Sequence, residues 1–429
     1  MKRALLLAAV LTAPSCGTPP KPPAGAVSES DEKTIGDAIH PILLQLLDGL
    51  YADADLSGYV ARVGKRLEAV VHRHYPRAFR YEFHIINTSQ VSLYPSLGGH
   101  VYLTRGLIAL CMNEDQLAGA LAHAMVHGAA RHRAAACAHR LDLAPLAAAI
   151  RDGRYLLEDG LPAWASTWRT LDQVATWILN LPFGRDQEEA ADSVAIRVLY
   201  EASYNPRGLI QFFEAVEKTP APFRSLHAAA GDRIASAEKA IGLYYAEGAR
   251  REFSAPRFEK AVERLRSEKE AYDAYDEGAR ALDRGDLTRA HEALSRAIES
   301  KKTEPLFFRT RGLAQLRAQN YRMAETDLTA GLAISKASES LYAARAEARM
   351  RLSRFGEALD DLAWAARMVK RPLTFYRLGE CYERSNQRER ARRSYLTCIA
   401  LSGFGSDDEP PENAPEAARL AYRRLTQLR

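Results

Sequence analysis

Four small residues, Gly278, Gly312, Ala346 and Gly379, recur at intervals of 34, 34 and 33 in the last third of the chain. No other feature limits the fold as tightly. Ala290, Ala324, Ala358 and Ala391 each follow by twelve, and Leu294, Leu328, Leu362 and Tyr395 stand four beyond those alanines. Aromatics precede three of the small residues by four, at Phe308, Tyr342 and Phe375. A period of this length belongs to a stacked array, in which each unit is too small to bury its own apolar face and buries it on its neighbour. Within a unit, a small residue on the first helix lets the second helix pack close.

This register resembles the tetratricopeptide repeat, and four units are assigned to residues 256–405. "SGFGSDDEPPENAP" then interrupts the array, and "EAARLAYRRLTQLR" reads as a polar-faced capping helix, so 406–429 is linker and cap. At 429 residues the chain exceeds one ordinary core, and two or three domains are expected. Charged residues make up 26% with a net charge of +5, and both signs are interspersed. No basic stripe is present, so nucleic acid is not an expected partner.

The N-terminus reads as an export signal. "MKRALLLAAVLTAPSC" has a basic start at Lys2 and Arg3, an apolar run from Ala4 to Leu11, and small residues before Cys16. It resembles a bacterial lipoprotein signal, although the usual Leu three before the Cys is missing. That resemblance implies a signal at 1–15, lipid attachment at Cys16, and a Pro-rich tether over 16–32. No later stretch has 18 consecutive apolar residues. The remaining cysteines, Cys111, Cys137, Cys381 and Cys398, lack metal-ligand spacing and read as buried thiols, with oxidation in an exported chain as the alternative.

"LAHAMVHGAARH" places His123 and His127 four apart, about one helical turn, so both imidazoles face one way. Asn113 is the expected N-cap of their helix. Upstream, "FRYEFHIINTSQV" and "GGHVYLTRG" read as strands, and His100 after the Gly-Gly turn reads as structural. A zinc site needs a third protein ligand. "RDQEEAAD" offers Glu188, with Asp192 one turn on to accept the free ring N–H of a ligand histidine. The alternative is a solvated acidic helix face.

Residues 33–255 resemble the zinc metallopeptidase family of the CAAX prenyl endopeptidase and HtpX, in its periplasmic, tetratricopeptide-bearing, BepA-like branch. "LSGYVARVGKRL", "GGHVYLTRGLIALCMNEDQLAGALAH", "HGAARH", "FGRDQEEAAD" and "YNPRGLIQFFE" carry the resemblance in order. It implies a mainly α (α+β) chain: a zincin-like domain with a small β-sheet, followed by an all-α solenoid. It implies one zinc ion held by His123, His127 and Glu188, with Asp192 orienting. His227, in "SLHAAAGDRI", stands where some relatives have a His before Pro and is a candidate plug ligand to the metal; the alternative is a surface or packing histidine.

Two departures from the family pattern fall at functional places. Ala124 occupies the position of the H-E-x-x-H glutamate, the general base. No neighbour replaces it: Glu189 is about 100° round its helix from Glu188, and His132, nine past His123, is about half a turn off. "SLYPSLGG" stands where the family reads close to "NAFALPGG", along the edge strand on which a peptide pairs, and Pro95 removes a donor there. The reading is therefore a periplasmic lipoprotein, anchored at the outer membrane, zinc-binding and proteolytically impaired. It would act as chaperone or scaffold in outer-membrane protein assembly or quality control, holding envelope proteins in its repeat groove. The alternatives are an active zinc metalloendopeptidase degrading misfolded envelope proteins, and a purely structural lipoprotein without metal.

Overall fold

The computed structural model describes residues 27–153, 163–219, 227, 230–405 and 408–428. Cys16, the signal at 1–15 and most of the tether lie outside the described residues. The chain forms two compact units: residues 1–40, 50–148 and 174–266 in the first, and 41–49, 149–173 and 267–429 in the second.

The first unit is built from helices around a small sheet. Its elements are α1 (Glu29–Leu46, shared with the second unit), α2 (Ala54–His74), β1 (Glu82–Ile86), β2 (Leu93–Pro95), β3 (His100–Thr104), α3 (Arg105–Leu110), α4 (Glu114–Ala129) and α5 (His132–Ala138). After α6 (Leu143–Arg151) and α7 (Ala163–Asn180), both shared with the second unit, come α8 (Arg185–Glu201), α9 (Arg207–Glu217), α10 (Ala230–Tyr244) and α11 (Pro256–Ser267). The strand order is β1-β3-β2, with β1 parallel and β2 antiparallel to β3. Pro95 therefore lies on an edge strand, where a missing N–H costs the ladder least.

Every residue of α4 is buried, which explains its run of Ala and Gly. Asn113 caps it, accepting from the Gln116 N–H at 2.9 Å. Asp115 in the first turn accepts from the backbone of both Asn205 and Ser254 at 2.7 Å. A Cβ on Gly119 would sit 2.8 Å from the Leu209 backbone, and one on Gly208 2.3 Å from the Asp115 carbonyl. Only glycine at these points lets α4 and α9 approach so closely. The helix that carries the two histidines is thus held along its length before any metal is considered.

Two boundaries differ from the sequence expectation. Ser28 caps α1 by accepting from the Asp31 N–H at 3.0 Å, so the helix starts inside the stretch read as tether. Glu32 is buried there and accepts from Arg131 at 2.7 Å. At the other end, α11 was assigned to the repeats, yet it belongs to the first unit. Its Phe258, Val262 and Leu265 are buried, and Phe258 lies 6.4 Å from the Tyr59 ring.

The second unit contains the repeats as helix pairs: α12 (Lys269–Asp283) with α13 (Leu287–Ser300), α14 (Pro305–Arg317) with α15 (Tyr321–Ile334), α16 (Glu339–Arg351) with α17 (Phe355–Met368), and α18 (Pro372–Arg384) with α19 (Arg388–Leu401). The last helix, α20 (Glu416–Gln427), covers the end of the array through buried Ala421 and Leu425. A Cβ on Gly278, Gly312 or Gly379 would meet Leu294, Leu328 or Tyr395 at 2.6, 2.7 and 2.4 Å. The periodic small residues are the crossing points of the pairs. Bidentate ion pairs repeat with them: Arg311 donates to Asp327 at 2.8 and 2.6 Å, and Arg345 to Asp361 at 3.0 and 2.7 Å. The protein is mainly α, with a small sheet and a tetratricopeptide-type solenoid.

The four cysteines after Cys16 are buried free thiols, and burial pushes Cys111 up to about 12. Among the described residues no helix is long and apolar enough to cross a membrane.

Candidate metal centre

α4 and α8 bring four of the sequence-selected residues together. The Nε2 atoms of His123 and His127 lie 3.2 Å apart. Glu188, in the first turn of α8, sets Oε2 3.6 Å from His123 Nε2 and Oε1 3.6 Å from His127 Nε2. One turn later, Asp192 accepts from His123 Nδ1 at 2.9 Å. His123, His127 and Glu188 are fully buried. Ala124 is fully buried as well and brings no polar group to the site.

Three further residues complete the cluster. His227 is buried, with Nδ1 2.8 Å from Glu188 and 3.3 Å from His123 Nε2. The surface alternative does not describe a ring buried against the donor set. Arg233 on α10 donates to Asp192 at 2.6 and 2.7 Å and forms an ion pair with Glu188 at 2.8 Å. His132 sets Nδ1 2.9 Å from His127 Nδ1. Counting along one helix places His132 on the far side, but α4 ends at Ala129 and Arg131 turns left-handed at φ 57°. The chain doubles back and returns His132 to the site.

Burial acts against every charge here, so the charges that persist are held by partners. Burial would lift the Asp192 carboxyl, but hydrogen bonds from Arg233 and His123 outweigh it and hold the group below the ordinary carboxylate value. Glu188 is likewise pushed up by burial and brought below its usual value by His227, His123 and Arg233. Burial and then the neighbouring histidines drive His127 well below the usual imidazole range, and burial first brings His132 down to about 4. Both rings are therefore neutral.

The proton positions test whether a cation fits. An ionised Asp192 fixes the His123 proton on Nδ1, which leaves Nε2 as a bare lone pair. That lone pair faces His127 Nε2 and the Glu188 carboxylate. Imidazole nitrogens and a carboxylate converging in a buried site form a donor set that a cation can use. In tetrahedral zinc the donor atoms are about 3.3 Å apart, close to the 3.2 Å seen for the two histidines. One donor atom each from His123, His127, Glu188 and His227 falls within 4.8 Å of the others, and the nitrogen and oxygen donors suit zinc.

Two histidines one turn apart on a buried helix, with a glutamate from a second helix, define a metallopeptidase-type domain. Residues 55–241 match the model of peptidase family M48. It is 29% identical over 193 residues to the beta-barrel assembly-enhancing protease of Yersinia pestis, covering 44% of this chain and 39% of that protein. To the mitochondrial metalloendopeptidase OMA1 of Schizosaccharomyces pombe it is 27% identical over 195 residues, covering 42% and 52%. The chain thus spans about half or less of the length of these relatives. The crystal structure of MamA protein covers 37% of this chain and 85% of that one at 17% identity, with a TM-score of 0.32.

Proposed function

We propose that this chain is a lipid-anchored envelope protein of the periplasm that holds one zinc ion at His123, His127 and Glu188, with Asp192 orienting His123. It works as a binder and not as a protease. Its clients are outer-membrane or other envelope proteins, held in the repeat groove during assembly or quality control. The similarity to a protein named for enhancing β-barrel assembly supports that client class.

The observation that carries the reading is His227, 2.8 Å from Glu188 and 3.3 Å from His123. A fourth protein side chain packed against the three ligands supports a centre without the position that a catalytic zinc site keeps open to water. A closed set of four is the structural pattern. Ala124 agrees with this, because the residue that would take a proton from water and return it to the leaving amine is missing, a contribution of about 10²–10⁴-fold. Pro95 on edge strand β2 further weakens pairing with an extended peptide. Zinc held by four protein donors would stabilise the fold and leave no position at which to polarise a peptide carbonyl.

The second reading is an active metallopeptidase. The intact donors and orienting carboxylate favour it. Hydrolysis of unfolded casein by wild type, Ala124→Glu and His127→Ala separates the two. Ala124→Glu restores the glutamate at the right helical offset, and glutamate is a good helix former. Weak chelator-sensitive cleavage by Ala124→Glu alone is the expected result. Cleavage by wild type as fast as by Ala124→Glu, abolished in His127→Ala, would establish the active protease instead.

A further inference from the structure

A second group of histidines meets in the first unit, apart from the centre above. His40 comes from α1, His84 from β1 and His100 from β3. In the parallel β1–β3 pair Glu82 is opposite His100 and His84 opposite Tyr102, so the two histidines sit on one sheet face, offset by two positions. α1 adds His40 over that face, its ring centroid 4.4 Å from His84 and 5.0 Å from His100. We propose that His40, His84 and His100 form a second metal site, built for a divalent cation of the zinc class.

The distances are near those required. One nitrogen of each ring lies within 4.8 Å of the others. His84 Nε2 and His100 Nδ1 are 3.0 Å apart, against about 3.3 Å between donors in tetrahedral zinc. His40 is half-buried, so its side chain has room to adjust toward the other two rings.

The ring orientations are set by outer partners, as in metal sites generally. Asp37 accepts from His100 Nε2 at 2.9 Å, which turns the Nδ1 lone pair toward His84. The Tyr102 hydroxyl holds His40 Nδ1 at 2.8 Å, leaving Nε2 for a ligand. Glu82 stands 3.8 Å from His100 Nδ1 and can supply a fourth, oxygen donor.

Charge permits a cation. The charged groups around the rings are Asp37, Glu82 and Lys33, whose ammonium lies 2.5 Å from Asp37 and 3.6 Å from Glu82. Together they carry one net negative charge. Three imidazole donors select zinc-class ions over magnesium or calcium. His40 and His84 are only half-buried, so an ion can enter from solvent.

Equilibrium dialysis of the full chain against zinc, followed by metal analysis, tests the site. Wild type should hold one equivalent more than His84→Ala, whatever the first centre holds. His40→Ala, a change at a half-buried helix position, should lose the same equivalent if His84→Ala folds poorly. In a His123→Ala, Glu188→Ala background, cobalt should give a visible absorption band that His84→Ala removes. Equal zinc in wild type, His84→Ala and His40→Ala would overturn the proposal, and would leave the first centre untouched.

Discussion

Asp192 serves two partners, and its replacement by asparagine separates them. The carboxylate orients His123 at 2.9 Å and takes a bidentate pair from Arg233 at 2.6 and 2.7 Å. An amide keeps the shape and loses the charge. Changing an orienting partner of this kind typically weakens metal binding 10–100-fold, about 1.4–2.7 kcal/mol. Arg233 keeps Glu188 at 2.8 Å, so the metal-free protein should lose about 2–4 kcal/mol, less than a fully orphaned buried cation would cost. Both losses share a sign, because the variant removes negative charge that Arg233 and a bound cation each use. Competition with a chromophoric zinc chelator reads the first effect, and urea unfolding of the metal-free first unit's transition reads the second. Zinc affinity within twofold of wild type, with stability within about 0.5 kcal/mol, would refute the orienting role and the buried charge argument together.

Gly312→Val should destabilise the repeats by about 1–3 kcal/mol, because its Cβ would meet Leu328 at 2.7 Å, and urea unfolding should show this with zinc content unchanged. Stripping metal with a chelator should lower the melting temperature of wild type by several degrees, and the shift should shrink in His123→Ala, Glu188→Ala; scanning calorimetry checks both. A chain ending at Ser267 should fail to bind a purified outer-membrane client that the full chain binds in a surface-resonance assay, while keeping its zinc.

What could be read in the sequence was whatever a single helix or a fixed period expresses. His123 with His127, Glu188 with Asp192, and Asn113 as a cap are each relations within one helix, where offset fixes direction. Repetition exposed the solenoid for the same reason, and Gly278, Gly312 and Gly379 mark its crossings. The start of the array was misplaced because α11 is amphipathic like the repeat helices, and nothing local tells which unit will bury Phe258. The return of His132 depends on a left-handed Arg131, and neither glycine nor asparagine stands there to announce it. Arg233 arrives from 41 positions beyond Asp192, a distance with no helical or strand rule. His84 and His100 needed the register of β1 on β3, which His100 read as a residue of a tight turn does not supply.

The same asymmetry governs the functional question. A missing glutamate at Ala124 is visible by counting, since its place is fixed by two histidines on one helix. The residue that fills the fourth position is not visible in this way, because His227 reaches Glu188 only through tertiary packing. Loss of the base alone is compatible with an open zinc site that binds water and reacts slowly. Loss of the base together with a buried His227 against Glu188 and His123 is the arrangement expected of a closed site, which a metal would use to join α4, α8 and His227. The distinction between a slow enzyme and a structural centre therefore rests on His227 more than on Ala124, and it is drawn by geometry that the motif does not contain.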